Sequence, residues 1–261
     1  MFVNSEQYRR SWIDRGIEPE KLKILPRGLD TELFNPARRD EDFWERFRTS
    51  TPDGEQQTSA KKHCNGSGES LSEIDTRQTR ATSARGLSAS SAVRLLYVGR
   101  LSKEKDLDVL AAAYRQLLKG GCAVELYIVG SGPYAGAFAE LVPDAFFTGY
   151  LAGEDLAAAY ASADIFVFPS TTDTFGNVII EAQASGLPVV VSNLGGPKEL
   201  VQSGINGLIT KAHDICDFAG AIRKLATEPE LRRQMSVAAR ESVMDRSWPI
   251  AFRHFWAATA V

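Results

Sequence analysis

Cysteine is scarce: Cys64, Cys122 and Cys216 are the only three in 261 residues. An odd number, widely spaced, does not build a disulfide framework, and no two stand at the separation of a metal-ligand pair. No apolar run approaches the roughly 18 residues that a membrane span requires. Neither sign of charge dominates. Thirty Lys and Arg oppose 33 Asp and Glu, a net charge of −3, which offers no field to gather nucleic acid or anionic lipid. The opening run Met1-Phe2-Val3-Asn4-Ser5-Glu6 lacks the basic and apolar regions of a leader peptide. The expectation is a cytoplasmic chain with reduced thiols, without a nucleic-acid partner or a transmembrane segment, and with peripheral membrane contact left open. Hydrophobic residues at 44% and charged residues at 24% exclude disorder of the whole chain, and the length fits one to two domains.

Composition divides the chain in three. Between Thr49 and Ala92, 44 residues hold nine Ser and six Thr, no aromatic, and only Leu71, Ile74 and Leu87 as large aliphatics. Such a stretch cannot bury enough apolar surface to offset the entropy of ordering it, so 49–92 is expected to be a flexible insertion. His63-Cys64 falls inside it, with no second pair to complete a metal site. Residues 1–48 carry a strand-like stub, a helix over Glu6 to Arg15, a short strand over Leu22 to Leu25 and the turn Pro26-Arg27-Gly28-Leu29-Asp30. That is too little for a core of its own, and it reads as the tail of a further domain. Residues 93–261 alternate short apolar runs with helical periodicity. Strands are expected over Arg94–Val98, Val124–Val129, Ala145–Thr148, Ile165–Phe168, Pro188–Val191 and Gly207–Ile209. Between the first two, Leu107, Leu110, Ala111, Tyr114, Leu117 and Leu118 keep a 3.6-residue period closed by Gly120-Gly121. The pattern predicts an α/β domain, a doubly wound parallel sheet of Rossmann-like type.

Ligands of open α/β sheets bind beyond the carboxyl ends of the strands, and those loops carry suggestive groups. Gly99-Arg100-Leu101-Ser102-Lys103-Glu104-Lys105 sets two cations five residues apart, able to converge on one anion or simply to be solvated. Gly130-Ser131-Gly132-Pro133-Tyr134-Ala135 satisfies G-x-G-x-x-G/A, and Glu154 and Asp155 follow about twenty residues on, so a dinucleotide site is a rival. However, Pro133 removes a donor from the loop that would cradle a pyrophosphate. After Phe168, Asp173-Thr174-Phe175-Gly176-Asn177 leads into a helix carrying Glu181. A helix N-terminus at Gly176 and Asn177 is suited to an anion, and Glu181 brings an acceptor-only group suited to sugar hydroxyls. Asp173 as a helix cap and Glu181 as an ordinary helical acid remain open. Asp106-Leu107-Asp108 matches D-x-D, but Leu107 belongs to the apolar stripe and should point its neighbours at solvent, so no metal is expected there.

Together the loops resemble the C-terminal, donor-binding half of a GT-B glycosyltransferase of family 4, the retaining nucleotide-sugar transferases. The resemblance covers about 93–227. It runs through Val98-Gly99-Arg100 to Lys105, Val129 to Pro133, Phe147-Thr148-Gly149-Tyr150, Ala163-Asp164 to Ser170, and Asp173 to Val190. Gly195-Gly196-Pro197-Lys198-Glu199 and Gly204 to Leu208 complete it. Asn4-Ser5-Glu6 through Gly28-Leu29-Asp30 and Phe34 resembles the end of that family's first domain. The resemblance implies that Arg100 and Lys105 hold the donor diphosphate in place of a metal, a use of charge where charge develops. It further implies Glu181 on the ribose, Asp173 on the transferred sugar, and the amides of Phe175, Gly176 and Asn177 on phosphate or sugar oxygens. Gly99, Gly130 and Gly132 would let backbone approach the donor, and Tyr150 and Leu151 would border the base. Two departures stand out: Asp173 replaces the family's usual Glu, and Asp106 follows Lys105 where a small residue or Asn is common. His63, His213 and His254 sit in no catalytic motif of the family's first domain. The implied function is a retaining glycosyltransferase, or its donor-binding half, using a UDP- or GDP-sugar and no cofactor. A separate acceptor-domain chain is a candidate partner. The alternatives are a catalytically silent nucleotide-sugar module and a dinucleotide-dependent oxidoreductase.

Overall fold

In the computed structural model, residues 1–3, 5–25, 27–48 and 92–259 are described. The expected insertion over 49–92, with His63-Cys64, lies outside them except for Ala92. At the start of the chain, β1 (Phe2–Val3) pairs in parallel with β2 (Lys23–Ile24). Helix α1 (Glu6–Asp14) connects them, its first turn capped by Ser5 Oγ accepting from Tyr8 N at 3.3 Å.

A six-stranded sheet carries the rest. It comprises β3 (Val93–Val98), β4 (Val124–Val129), β5 (Phe146–Gly149), β6 (Ile165–Phe168), β7 (Val189–Ser192) and β8 (Gly207–Thr210), in the order β5-β4-β3-β6-β7-β8. Every pairing is parallel. Strands such as Ile165-Phe166-Val167-Phe168 are apolar throughout because helices cover both faces and each residue is buried. The helices are α2 (Leu107–Lys119), α3 (Ala135–Leu141), α4 (Gly153–Ala161), α5 (Asn177–Ala184), α6 (Ile215–Thr227), α7 (Pro229–Glu241) and α8 (Trp248–Thr259). Of the predicted stripe of α2, Leu107, Leu110, Ala111, Tyr114 and Leu117 are buried and Leu118 is half-buried. From β3 the chain winds outward to β5, then returns to β6 on the other side of β3. That reversal separates the loops after β3 and β6 and opens a crevice between them.

Residues 29–47, grouped by sequence with the N-terminal piece, pack into the core of this sheet. Leu29, Phe34, Phe43 and Trp44 are buried in one cluster with the strands. Trp44 has no exposed surface. Its indole N–H donates to Ser162 O at 2.9 Å, and its ring lies 4.1 Å from that of Tyr127. Arg39 grips the same corner through Ala163 O at 2.9 Å and Asp164 Oδ1 at 3.0 Å. This segment lacks regular periodicity, since it consists of irregular turns and the short 3₁₀ helices Pro36–Arg38 and Phe43–Phe47. Its membership in the core was therefore invisible to pattern reading.

Helix α8 returns to the start of the chain, where Phe255 meets Phe2 at 5.4 Å between ring centroids. An apolar groove of about 600 Å³ runs among Phe2, Tyr8, Trp12, Trp248 and Phe252. Trp248, Phe252 and Trp256 are exposed on that helix. None of the helices among the described residues is long and apolar enough to cross a membrane.

Candidate functional site

Beyond the carboxyl ends of β3 and β6 lies a cleft of about 350 Å³. Tyr97, Val98, Gly99, Arg100 and Lys105 line it from β3 and its loop; Asp173, Thr174 and Phe175 line it from the loop after β6. Gly176, Asn177 and Val178, at the start of α5, complete the wall. Residues distant in sequence, Gly99, Arg100 and Lys105 on one side and Asp173, Phe175, Gly176 and Asn177 on the other, are thus brought together as expected.

The two loops are tied across the cleft. Lys105 Nζ donates to Asp173 Oδ2 at 2.9 Å, with side chains only 18% and 23% exposed. The alternative of Asp173 as a helix cap is therefore removed: Gly176 stands at the cap position of α5, and no side chain caps it. Beside this pair, Asp106 Oδ2 accepts from Thr171 N at 2.9 Å and from Thr171 Oγ1 at 2.7 Å. Its Oδ1 faces His213 Nδ1 at 3.4 Å. Thr172 Oγ1 donates to Glu104 O at 2.9 Å. The expectation that Asp106 points at solvent is corrected. It precedes the first helical residue at φ 55, so a left-handed turn, rather than the helical period, aims its carboxylate at the β6 loop. Asp is among the few residues other than Gly that adopt this conformation readily. That tolerance, and the departure at this position from the family pattern, were the available signals. Asp108 accepts from Tyr134 Oη, so the D-x-D carboxylates serve separate partners.

Glu181 is not among the residues that line the cleft; it sits half-buried within α5. Tyr160, fully buried, donates from its hydroxyl to Glu181 Oε2 at 2.9 Å. Burial pushes the Glu181 carboxyl above its usual range, and the Tyr160 hydrogen bond pulls it back down. Tyr97 performs a related service for the β3 loop: its hydroxyl donates to Arg100 O at 3.2 Å, and burial raises its phenol far above the ordinary value. Nothing in the sequence pattern marks either hydroxyl.

Gly130 and Gly132 do not line the cleft, nor do Tyr150 and Leu151. A Cβ at Gly130 would overlap Gly99 O, and one at Gly132 would overlap Leu101 O. These glycines let the β4 loop press against the β3 loop, where Leu101 N donates to Ser131 O and Tyr134 N to Leu101 O, each at 3.0 Å. Their contribution is to shape the loop bearing Arg100, which takes the physical ground from the dinucleotide reading. Tyr150, 77% exposed, follows β5 farther along the sheet, joined through the Gly130 N–H to Gly149 O bond of 2.8 Å. Arg27, which sequence reading left in a turn, also lines the cleft.

The sheet is doubly wound, with a cation-bearing cleft at its switch point and a helix N-terminus in one wall, the place where open α/β sheets take their ligands. Comparison with known proteins gives the family. Residues 92–228 match the family described as Glycosyl transferases group 1, and the chain belongs to it. It is 41% identical over 152 residues to a GDP-mannose-dependent alpha-mannosyltransferase of Corynebacterium glutamicum, covering 58% of this chain and 36% of that one. Over 236 residues it is 30% identical to the sulfoquinovosyl transferase SQD2 of Arabidopsis thaliana, covering 88% of this chain and 38% of the relative. The chain thus spans well under half the length of these curated relatives. Among solved structures, Anabaena Alr3699/HepE in complex with UDP and glucose superposes with a TM-score of 0.73 at 20% identity, covering 100% of this chain and 62% of that one. Sucrose-phosphate synthase of Thermosynechococcus elongatus gives 0.69 at 24% identity, covering 99% and 58%. These likenesses show the fold, a Rossmann-like domain of the GT-B kind.

Proposed function

We propose that this chain is the nucleotide-sugar-binding half of a retaining glycosyltransferase that draws on a UDP- or GDP-sugar. The observation that carries the reading is the assembly of Arg100, Lys105 and Asp173 at the switch-point cleft, with Glu181 half-buried on the helix that starts in its wall and held by Tyr160. Arg100 and Lys105 hold the diphosphate and neutralise the charge that builds on it as the glycosidic bond breaks, a stabilisation that needs no metal. Glu181, held by Tyr160, accepts from the ribose hydroxyls. Asp173 meets the transferred sugar and, until the donor arrives, keeps Lys105 in place. The amides at Phe175, Gly176 and Asn177 face phosphate or sugar oxygens, while Tyr150 and Leu151 border the base. The relatives named for GDP-mannose and the solved neighbour that holds UDP support a nucleotide-sugar and leave the base to experiment.

Transfer also needs an acceptor hydroxyl set against the anomeric carbon, a positioning that lowers a barrier by roughly 7–11 kcal/mol. The described residues contain no second domain facing the cleft, and residues 1–48 read as the remnant of such a domain and its connection. An acceptor-domain partner, in the cytoplasm, is part of the proposal.

Thermal-shift titration against UDP, GDP, ADP and NAD tests it. A ligand at 100 times its Kd stabilises the native state by about 2.7 kcal/mol. UDP or GDP is expected to give that shift, and stabilisation by NAD alone would overturn the reading. The 261-residue chain is expected to bind nucleotide without transferring sugar until an acceptor domain is added.

A further inference from the structure

The charges of the cleft do not balance on the expected residues alone. Lys105 and Asp173 neutralise each other at 2.9 Å, so the pair contributes no net charge toward a ligand. Arg100 forms no ion pair among the described residues and supplies one positive charge. A pyrophosphate diester brings two negative charges, and one is left unmatched.

From these observations we infer that Arg27 is a donor-binding residue, the second guanidinium that holds the diphosphate. It lines the same cleft as Arg100 and Lys105, although it lies outside the sheet domain in sequence and outside the family match, which begins at residue 92. Its Cζ stands 5.8 Å from the ring centroid of Phe175, on the opposite loop, and it reaches no carboxylate among the described residues. A guanidinium resting on an aromatic face keeps its N–H fork free for an oxyanion, and that fork matches phosphate geometry. The backbone that delivers it is pinned on its far side. Leu29 N donates to Arg246 O at 2.8 Å. A Cβ at Gly28 would overlap the Trp248 ring, so only glycine lets the chain pass this closely. The linker is thus held against the start of α8, with Arg27 directed back over Phe175.

This inference rests on the proposed nucleoside-diphosphate reading of the cleft. Isothermal titration with UDP, UMP, GDP and GMP on the wild type, Arg27→Gln and Arg27→Lys tests it, with melting curves to confirm unchanged folding of an exposed position. Arg27→Gln is expected to weaken the diphosphate about tenfold, the loss of one charge-assisted hydrogen bond. The monophosphate should change less than about twofold, and Arg27→Lys should recover part of the loss. Diphosphate binding at wild-type affinity in Arg27→Gln would overturn the role of Arg27 alone. Failure of the wild type to bind either diphosphate would overturn the cleft reading, and this role with it.

Discussion

Tyr160→Phe removes a single oxygen from the buried centre of the molecule. The ring stays, along with its packing against Phe34 and Phe166, each at 5.7 Å between centroids. What goes is the 2.9 Å hydrogen bond to Glu181 Oε2. A hydrogen bond to an ionised group contributes about 1.5–3 kcal/mol, against about 0.5–1.5 kcal/mol between neutral groups. The loss should therefore depend on the protonation of Glu181, whose carboxyl is raised above 4.5 by burial and lowered by Tyr160. The raised value means that the folded state binds the proton more tightly than the unfolded chain. Stability then falls as pH rises from the unfolded carboxyl value through the folded one. Removing the hydroxyl raises the folded value further and steepens that fall. In urea unfolding followed by far-UV circular dichroism, the variant should lose about 0.5–1.5 kcal/mol near pH 4 and about 1.5–3 kcal/mol near pH 8. Combining it with Glu181→Gln should abolish the pH dependence of the difference. An equal loss at both pH values would refute a bond to a titrating, buried carboxylate.

Asp173→Ala should leave the affinity for plain nucleoside diphosphate unchanged or higher, because it frees Lys105, while weakening the intact nucleotide-sugar. Equal losses of both ligands in calorimetry would show a structural role instead. Arg100→Ala should weaken nucleoside diphosphates by about tenfold or more, read by the same titration. Gly130→Ala places a Cβ on Gly99 O and should cost about 1–3 kcal/mol in urea unfolding, with loss of nucleotide affinity as the Arg100 loop shifts. Trp44→Ala should cost about 3–5 kcal/mol by the same measurement. A cost under about 1 kcal/mol would show that the turn segment is not part of the core.

The sequence by itself determined the sheet. Strand runs such as Val124–Val129 and Ile165–Phe168 coincide with the observed β4 and β6, and the α2 stripe is buried as its period demands. Period and burial are local consequences of which residues must leave water, so they are written in the order of the residues. The loops that resemble the glycosyltransferases were legible for a similar reason, since glycines and charges at fixed spacing record where a backbone must turn. Tertiary structure alone decided which of these groups meet. Lys105 and Asp173 are 68 positions apart, and only the return of β6 beside β3 sets one against the other. Gly130 and Gly132, turn glycines by their pattern and donor-facing only by the resemblance, press against a neighbouring loop. Tyr160 and Asp106 gained their partners from elements that periodicity does not connect, and Arg27 and Trp44 lie in turns that have no period at all. A hydroxyl or a guanidinium looks the same in sequence whether it is solvated or aimed at a site, and the direction it takes is fixed by the packing of the elements that carry it.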